Sequence, residues 1–141
     1  MFYQIKMKPL IKIEKKYHLP FLLSLISIHS FLVGVGLIIF PGELMEYIGF
    51  QFVHERFFQV QGGVFHIVLS ICYILPVISY NSFKSLVIFS IIAKISATVF
   101  LFIYFLFFDS ILCVLLSGIG DCAMAVLLLY VYHNRQKRVE K

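Results

Sequence analysis

The chain has 141 residues, of which 61% are hydrophobic and only 13% charged, enough for one domain but poor in charge beside the roughly 25% of a soluble one. So much apolar surface excludes water as the main solvent and points to a lipid bilayer. The formal charge of +5 sits in two terminal tails with no basic-aromatic groove between them, which argues against a nucleic-acid partner.

Residues 1–18, MFYQIKMKPLIKIEKKYH, form a basic tail holding Lys6, Lys8, Lys12, Lys15 and Lys16. The first apolar segment runs over about 19–40 and stops at Pro41-Gly42. It is too long for the apolar region of a cleaved signal, and no A-x-A-like site follows it, so it reads as a retained span. Ser27, Ser30 and Gly34 share one face of it, and His29 lies about 100° away.

The loop PGELMEYIGFQFVHER (41–56) carries Leu44, Met45, Tyr47, Ile48, Phe50 and Phe52 among its polar residues, a composition suited to the membrane interface. The second span covers about 57–79, with Gln59, Gly62, Gly63, His66, Ser70 and Tyr73 on one face. The third covers about 85–108, with Ser90, Lys94, Ala97 and Thr98 together. The fourth covers about 110–133, with Ser117, Gly118, Asp121, Cys122 and Ala125 together. Residues 134–141, NRQKRVEK, form a second basic tail. Each span is long enough to cross about 30 Å of hydrocarbon.

The fold class that follows is all-α, an antiparallel bundle of four transmembrane helices. With four spans, the N-tail, Lys84 and the C-tail residues Arg135, Lys137, Arg138 and Lys141 share one side. Glu43, Glu46, Glu55 and Asp109 lie on the other, with Arg56 the single arginine there. The positive-inside rule then places both termini in the cytoplasm and the protein in the cell membrane. Small and polar residues on one face of each span let helices approach and bond across interfaces. Gly62, Gly63, Gly118 and Gly120 are the candidate packing positions.

Lys94 and Asp121 are the costliest residues in the chain. A charge at the bilayer centre costs about 2.5–3.5 kcal/mol on the insertion scale and marks a functional site by default. His29, His66, Lys94 and Asp121 all lie roughly 13–20 Å from the lysine-rich ends of their spans. A tight link joins the third and fourth spans, so Lys94 and Asp121 can pair, which either fixes helix register or builds a polar pocket. His66, Lys94, Asp121, Gln59 and Thr98 are the candidate ligand-binding cluster, and Phe105 and Phe108 would close it from the far side. His66 also suits a plain interhelical hydrogen bond. His29 is off the stripe, and two midplane histidines alone are a thin basis for haem. His18, His54 and His133 fall at span boundaries. Cys72, Cys113 and Cys122 form no C-x-x-C pair, which argues against dithiol redox chemistry; buried cysteines commonly serve packing.

Pro41 closing the first span, Gly49 in the loop, Arg56 leading into Gly62-Gly63, Tyr73, Lys94 midway along the third span and Gly120-Asp121 together resemble the DoxX-like group of small four-helix membrane proteins, with its BphX-like relatives. The resemblance covers about 19–133. It implies a membrane subunit or accessory of a redox or stress-response system, in some members linked to quinones, working with a membrane or cytoplasmic redox partner. The sequence has no dithiol or phosphate-binding loop and is not expected to be an enzyme on its own.

Three functions stay open on the residues. One is an accessory protein with an intramembrane pocket for a small amphipathic molecule such as a quinone. A second is a small proton-coupled transporter acting as a homodimer, since intramembrane carboxylates relay protons; against it, Lys94 is available to neutralise Asp121, and the first span carries no acidic residue. The third is a structural or assembly protein in which the polar stripe is glue.

Overall fold

An apolar backbone in hydrocarbon has no water to bond, so each apolar run closes its own hydrogen bonds as a helix. The computed structural model describes residues 18–51 and 54–139, with side chains through Gln136. The helices are α1 (His18–Ile39), α2 (Gly42–Tyr47), α3 (Phe57–Ile78), α4 (Lys84–Phe107) and α5 (Leu112–Val139), and the described residues contain no strand. α1, α3, α4 and the Leu112–Gln136 part of α5 are long and apolar enough to cross a membrane. The lysines expected in the amino-terminal tail, and the side chains of Lys137, Arg138 and Lys141, lie outside the described residues.

The structure adds two features to the sequence reading and corrects one. The helix of the fourth span continues beyond the apolar stretch to Val139. Nothing in NRQKRV breaks a helix, and the last turns find partners. Gln136 Nε2 donates to the Tyr132 hydroxyl at 2.7 Å, and the Arg135 guanidinium lies 3.5 Å over the Tyr80 ring. The interfacial loop contains a short helix, α2, with extended Pro41 at its N-cap. It ends at Tyr47 with Ile48 as its C-cap, and Gly49 follows with a φ of +102° that suits a residue without a Cβ. Finally, Ser117 is exposed and does not join the buried stripe of α5.

The four long helices form a ring. α1 packs along α3, α4 packs along α5, and lighter α3–α4 and α1–α5 contacts close the circuit; the diagonal pairs do not approach. Leu19, Leu23 and Ile26 of α1, Tyr73 of α3, Val87 and Ile91 of α4 and Leu128 of α5 form the shared apolar core. It lies in the half of the bundle nearest the α3–α4 link. The outward faces carry residues such as Leu32, Phe65, Ile92, Phe100 and Leu116, each left exposed by the chain itself. Such a coat is what lipid contact requires.

The α1–α3 seam is the closest. A Cβ added at Gly63 would stand 2.7 Å from the Gly34 carbonyl oxygen, and one at Gly34 would stand 2.7 Å from the Gly63 oxygen. Only paired glycines permit that approach. Ser27 Oγ donates to the Ser70 carbonyl at 2.8 Å, and Ser30 Oγ donates to the His66 carbonyl at 3.0 Å.

Candidate intramembrane polar site

Spacing along α4 puts Val87, Ser90, Ile91 and Lys94 on one buried face. Spacing along α5 does the same for Val114, Gly118, Asp121, Ala125 and Leu128. Where the two faces meet, Lys94 Nζ donates to Asp121 Oδ1 at 2.5 Å. Both residues are buried, at 3% and 8% exposure, so lipid and water screen the pair little. The pairing expected from their common depth is therefore present. Each charge answers the other's desolvation, which is the condition for keeping two charges in a low-dielectric interior.

Tyr73 of α3 completes the centre. Its ring centroid lies 5.8 Å from Lys94 Nζ, within the range at which a ring face attracts a cation. The ion pair thus joins three helices rather than two. Among the described residues the one side-chain hydrogen bond of the pair is between its two members. An ammonium has three donors and a carboxylate about four acceptor positions, so both keep hydrogen-bonding capacity.

The histidines flank this centre from α1 and α3. His66 is half-buried, and its Nδ1 lies 3.3 Å from Ser30 Oγ. Ser30 Oγ also donates to the His66 carbonyl, and the direction of the ring contact is set by the histidine tautomer. His29 is exposed on the outer surface of α1, off the buried stripe as its rotation implies.

The other sequence candidates are placed elsewhere or spent. Gln59 is some 10 Å along α3 from His66. Its Nε2 donates to the carbonyls of Leu37 and Phe40 at 2.9 and 3.0 Å, at the end of α1. Thr98 Oγ1 donates to the Lys94 carbonyl within its own helix. Phe105 and Phe108 stand roughly 16–21 Å along α4 from Lys94, too far to close over it. Phe108 stacks on Tyr104 at the helix end, with centroids 5.7 Å apart.

The glycines divide. Gly63 is a packing position, as its spacing implies, and its contact with backbone leaves no room there for a ligand. Gly118 packs against Leu101 and Phe102 of α4, with a built Cβ at 3.3 Å from the former. At Gly62 a Cβ would make an ordinary 3.9 Å contact with Leu37, and at Gly120 it would meet nothing within 4 Å. Gly120 is thus the open position beside Asp121.

Arg56 has a role that sequence reading passed over. Its Nη2 donates to the carbonyls of Ile38 and Phe40 at 2.9 and 2.7 Å. The last carbonyls of a helix lack intrahelical partners and carry the negative end of its dipole. α1 has no basic residue in its own last turn, and Arg56, with Gln59, supplies the cap from the start of α3. The available signal was an arginine and a glutamine opening one span soon after an uncapped span ends.

No protein-family model matches the chain, and no characterised protein or solved structure matches it.

Proposed function

We propose that this multi-pass membrane protein is an accessory subunit whose Lys94–Asp121 centre binds a small amphipathic molecule bearing a carbonyl or hydroxyl group, the chemical class that includes quinones. The observation that carries the proposal is a buried ion pair with donor and acceptor capacity remaining, set beneath an aromatic ring and beside an open glycine. A carbonyl oxygen would accept from Lys94, and a hydroxyl would donate to Asp121. Because Gly63 seals the α1–α3 seam, approach is from the side of Gly120. The apolar part of the ligand then rests among lipid-facing side chains. The DoxX-like resemblance agrees with this role and belongs to the same proposal, as does a redox partner in the membrane or cytoplasm. Lys84 and Arg135 fall at one end of the bundle, and the acidic residues Glu43, Glu46, Glu55 and Asp109 fall at the other with a single basic residue, Arg56. That segregation supports termini on the cytoplasmic side of the cell membrane.

The test is mass spectrometry of small molecules retained by protein extracted gently from its own membrane. The parent retains such a molecule, and the Lys94→Met/Asp121→Asn double variant loses it. Equal retention, or no retained molecule in the parent, overturns the ligand reading. The second reading, a register lock without ligand, is favoured by one observation: Ser27, Ser30, Ser70, Ser90 and Thr98 all spend their hydroxyls on backbone carbonyls.

A further inference from the structure

A concave site lies at the far end of the bundle, away from the ion pair. It is a cleft of about 440 Å³, within the roughly 300–1,000 Å³ range of small-molecule sites. Its walls come from five elements: α2, the loop after it, the first turn of α3, the last turn of α4 and the α4–α5 link. Backbone geometry builds the loop wall. Gly49 N–H and Phe50 N–H donate back to the carbonyls of Glu46 and Met45 at 2.9 and 3.0 Å. The turn sets Gly49 against Ile111, where a Cβ would stand 3.2 Å from Ile111 Cγ2.

The lining combines two chemistries. Phe50, Phe58, Tyr104 and Phe108 supply aromatic surface, and Glu55 and Asp109 supply carboxylates. No lysine, arginine or histidine is among the described lining residues. Arg56, next to Glu55 in the chain, is turned to the α1 carbonyls and serves as their cap. The rim residues Phe58 and Phe108 are 79% and 76% exposed, so the mouth is apolar where it meets the bilayer. Aromatic faces and carboxylates both attract a cation, and aromatic walls also take up an apolar body.

We propose that this cleft is a binding site for an amphipathic organic ammonium ion. The cation would lie between Glu55 and Asp109, and its apolar part would lie against the rings and out over the Phe58–Phe108 rim. A zwitterionic lipid headgroup would bring a phosphate that no basic lining residue meets, so the fit is to an amine without phosphate. The site is separate from the Lys94–Asp121 centre and does not depend on it.

The full chain in phosphatidylcholine nanodiscs is titrated with radiolabelled phenylbutyltrimethylammonium and with its neutral isostere carrying carbon in place of nitrogen. The cation binds saturably and the isostere does not. Glu55→Gln with Asp109→Asn weakens cation binding about tenfold or more, while Glu43→Gln, on the same end but off the cleft, leaves it unchanged. Should the double variant fail to fold, Glu55→Gln alone, at an exposed position, is expected to weaken binding about threefold. Absence of saturable binding, equal binding of the isostere, or full binding after loss of the carboxylates overturns the proposal. So does displacement of the probe by phosphatidylethanolamine in the disc, which would assign the cleft to a lipid headgroup.

Discussion

The two helix pairs of this bundle are joined by opposite means. α1 and α3 meet backbone to backbone at Gly34 and Gly63, and serine hydroxyls of α1 bond carbonyls of α3. α4 and α5 meet through long side chains, with one ion pair at the centre. The first seam depends on shape: at its midpoint the contacts are between neutral groups, and nothing larger than hydrogen fits between Gly34 and Gly63. The second depends on charge and keeps open space at Gly120. In a bilayer, helix association has little hydrophobic driving force and rests on close packing and polar contacts. This chain uses one for each pair. The rigid seam is suited to scaffolding, and the charged seam to binding.

The charged seam is the place where one atom change does most. Asp121→Asn leaves Lys94 buried without its counter-charge. Removing one partner of a buried pair costs about 3–5 kcal/mol, and removing both is far milder. Reversible unfolding in mixed detergent micelles should show that loss for Asp121→Asn and a substantial recovery in Asp121→Asn/Lys94→Met. Strictly additive losses would mean that the ion pair does not hold α4 to α5.

The shape-dependent seam responds to bulk and not to charge. Gly63→Leu places a side chain where a Cβ alone stands 2.7 Å from the Gly34 oxygen and 2.7 Å from Ile38 Cγ1. Overpacking of this kind costs about 1–3 kcal/mol, and a contact with backbone puts it near the upper end. The same unfolding measurement should show the loss, with the Lys94–Asp121 coupling energy unaltered. A stable Gly63→Leu protein would show the seam to be loose and would reopen a pocket on that face.

How much of this was legible in the sequence follows from the same distinction. Hydropathy marks the spans, because the bilayer sorts residues by polarity over a fixed thickness. The Lys94–Asp121 pair was legible because two costly charges at one depth on adjacent helices have each other as the cheapest partner. Gly63 was legible as a packing position, but not the backbone contact it makes with Gly34. Spacing assigns a glycine to a face, but the distance to the neighbouring helix decides whether the missing side chain is contact or space. The end of α5 was not legible because hydropathy falls where lipid stops, whereas the helix continues on its own hydrogen bonds and on Arg135 over Tyr80. Gln59 looked like a site residue by periodicity. Its position one helix end away from His66 becomes evident only when the α1 carbonyls are seen to need donors.

Those carbonyls give a smaller test of the α1–α3 pair. Arg56→Met removes both Nη2 bonds to Ile38 and Phe40 while keeping an apolar stem. Hydrogen bonds to charged groups contribute about 1.5–3 kcal/mol when buried, and partial exposure places this cap at about 1.5 kcal/mol. The loss should be local. Hydrogen exchange should quicken at the last turn of α1 and leave the amides around Ser27 and Ser30 as they were. Uniform acceleration along α1 would show instead that Arg56 holds the whole helix in place.

The mildest change tests whether the open side of the charged seam is open. Gly120 is helical, and a Cβ there meets nothing within 4 Å. Alanine in a helix interior is favoured over glycine by roughly 0.5–1 kcal/mol, because the unfolded chain loses less freedom. With no clash to set against that term, Gly120→Ala should leave stability unchanged or raise it by up to that amount. Gly118→Ala, one helical turn before Asp121, meets Leu101 at 3.3 Å and Phe102 at 3.4 Å, so there the same substitution should lose most or all of the gain. Both variants go through the same mixed-micelle unfolding. A marked loss in Gly120→Ala would mean that another chain occupies the space beside Asp121. The charged seam would then be an interface and not an entrance.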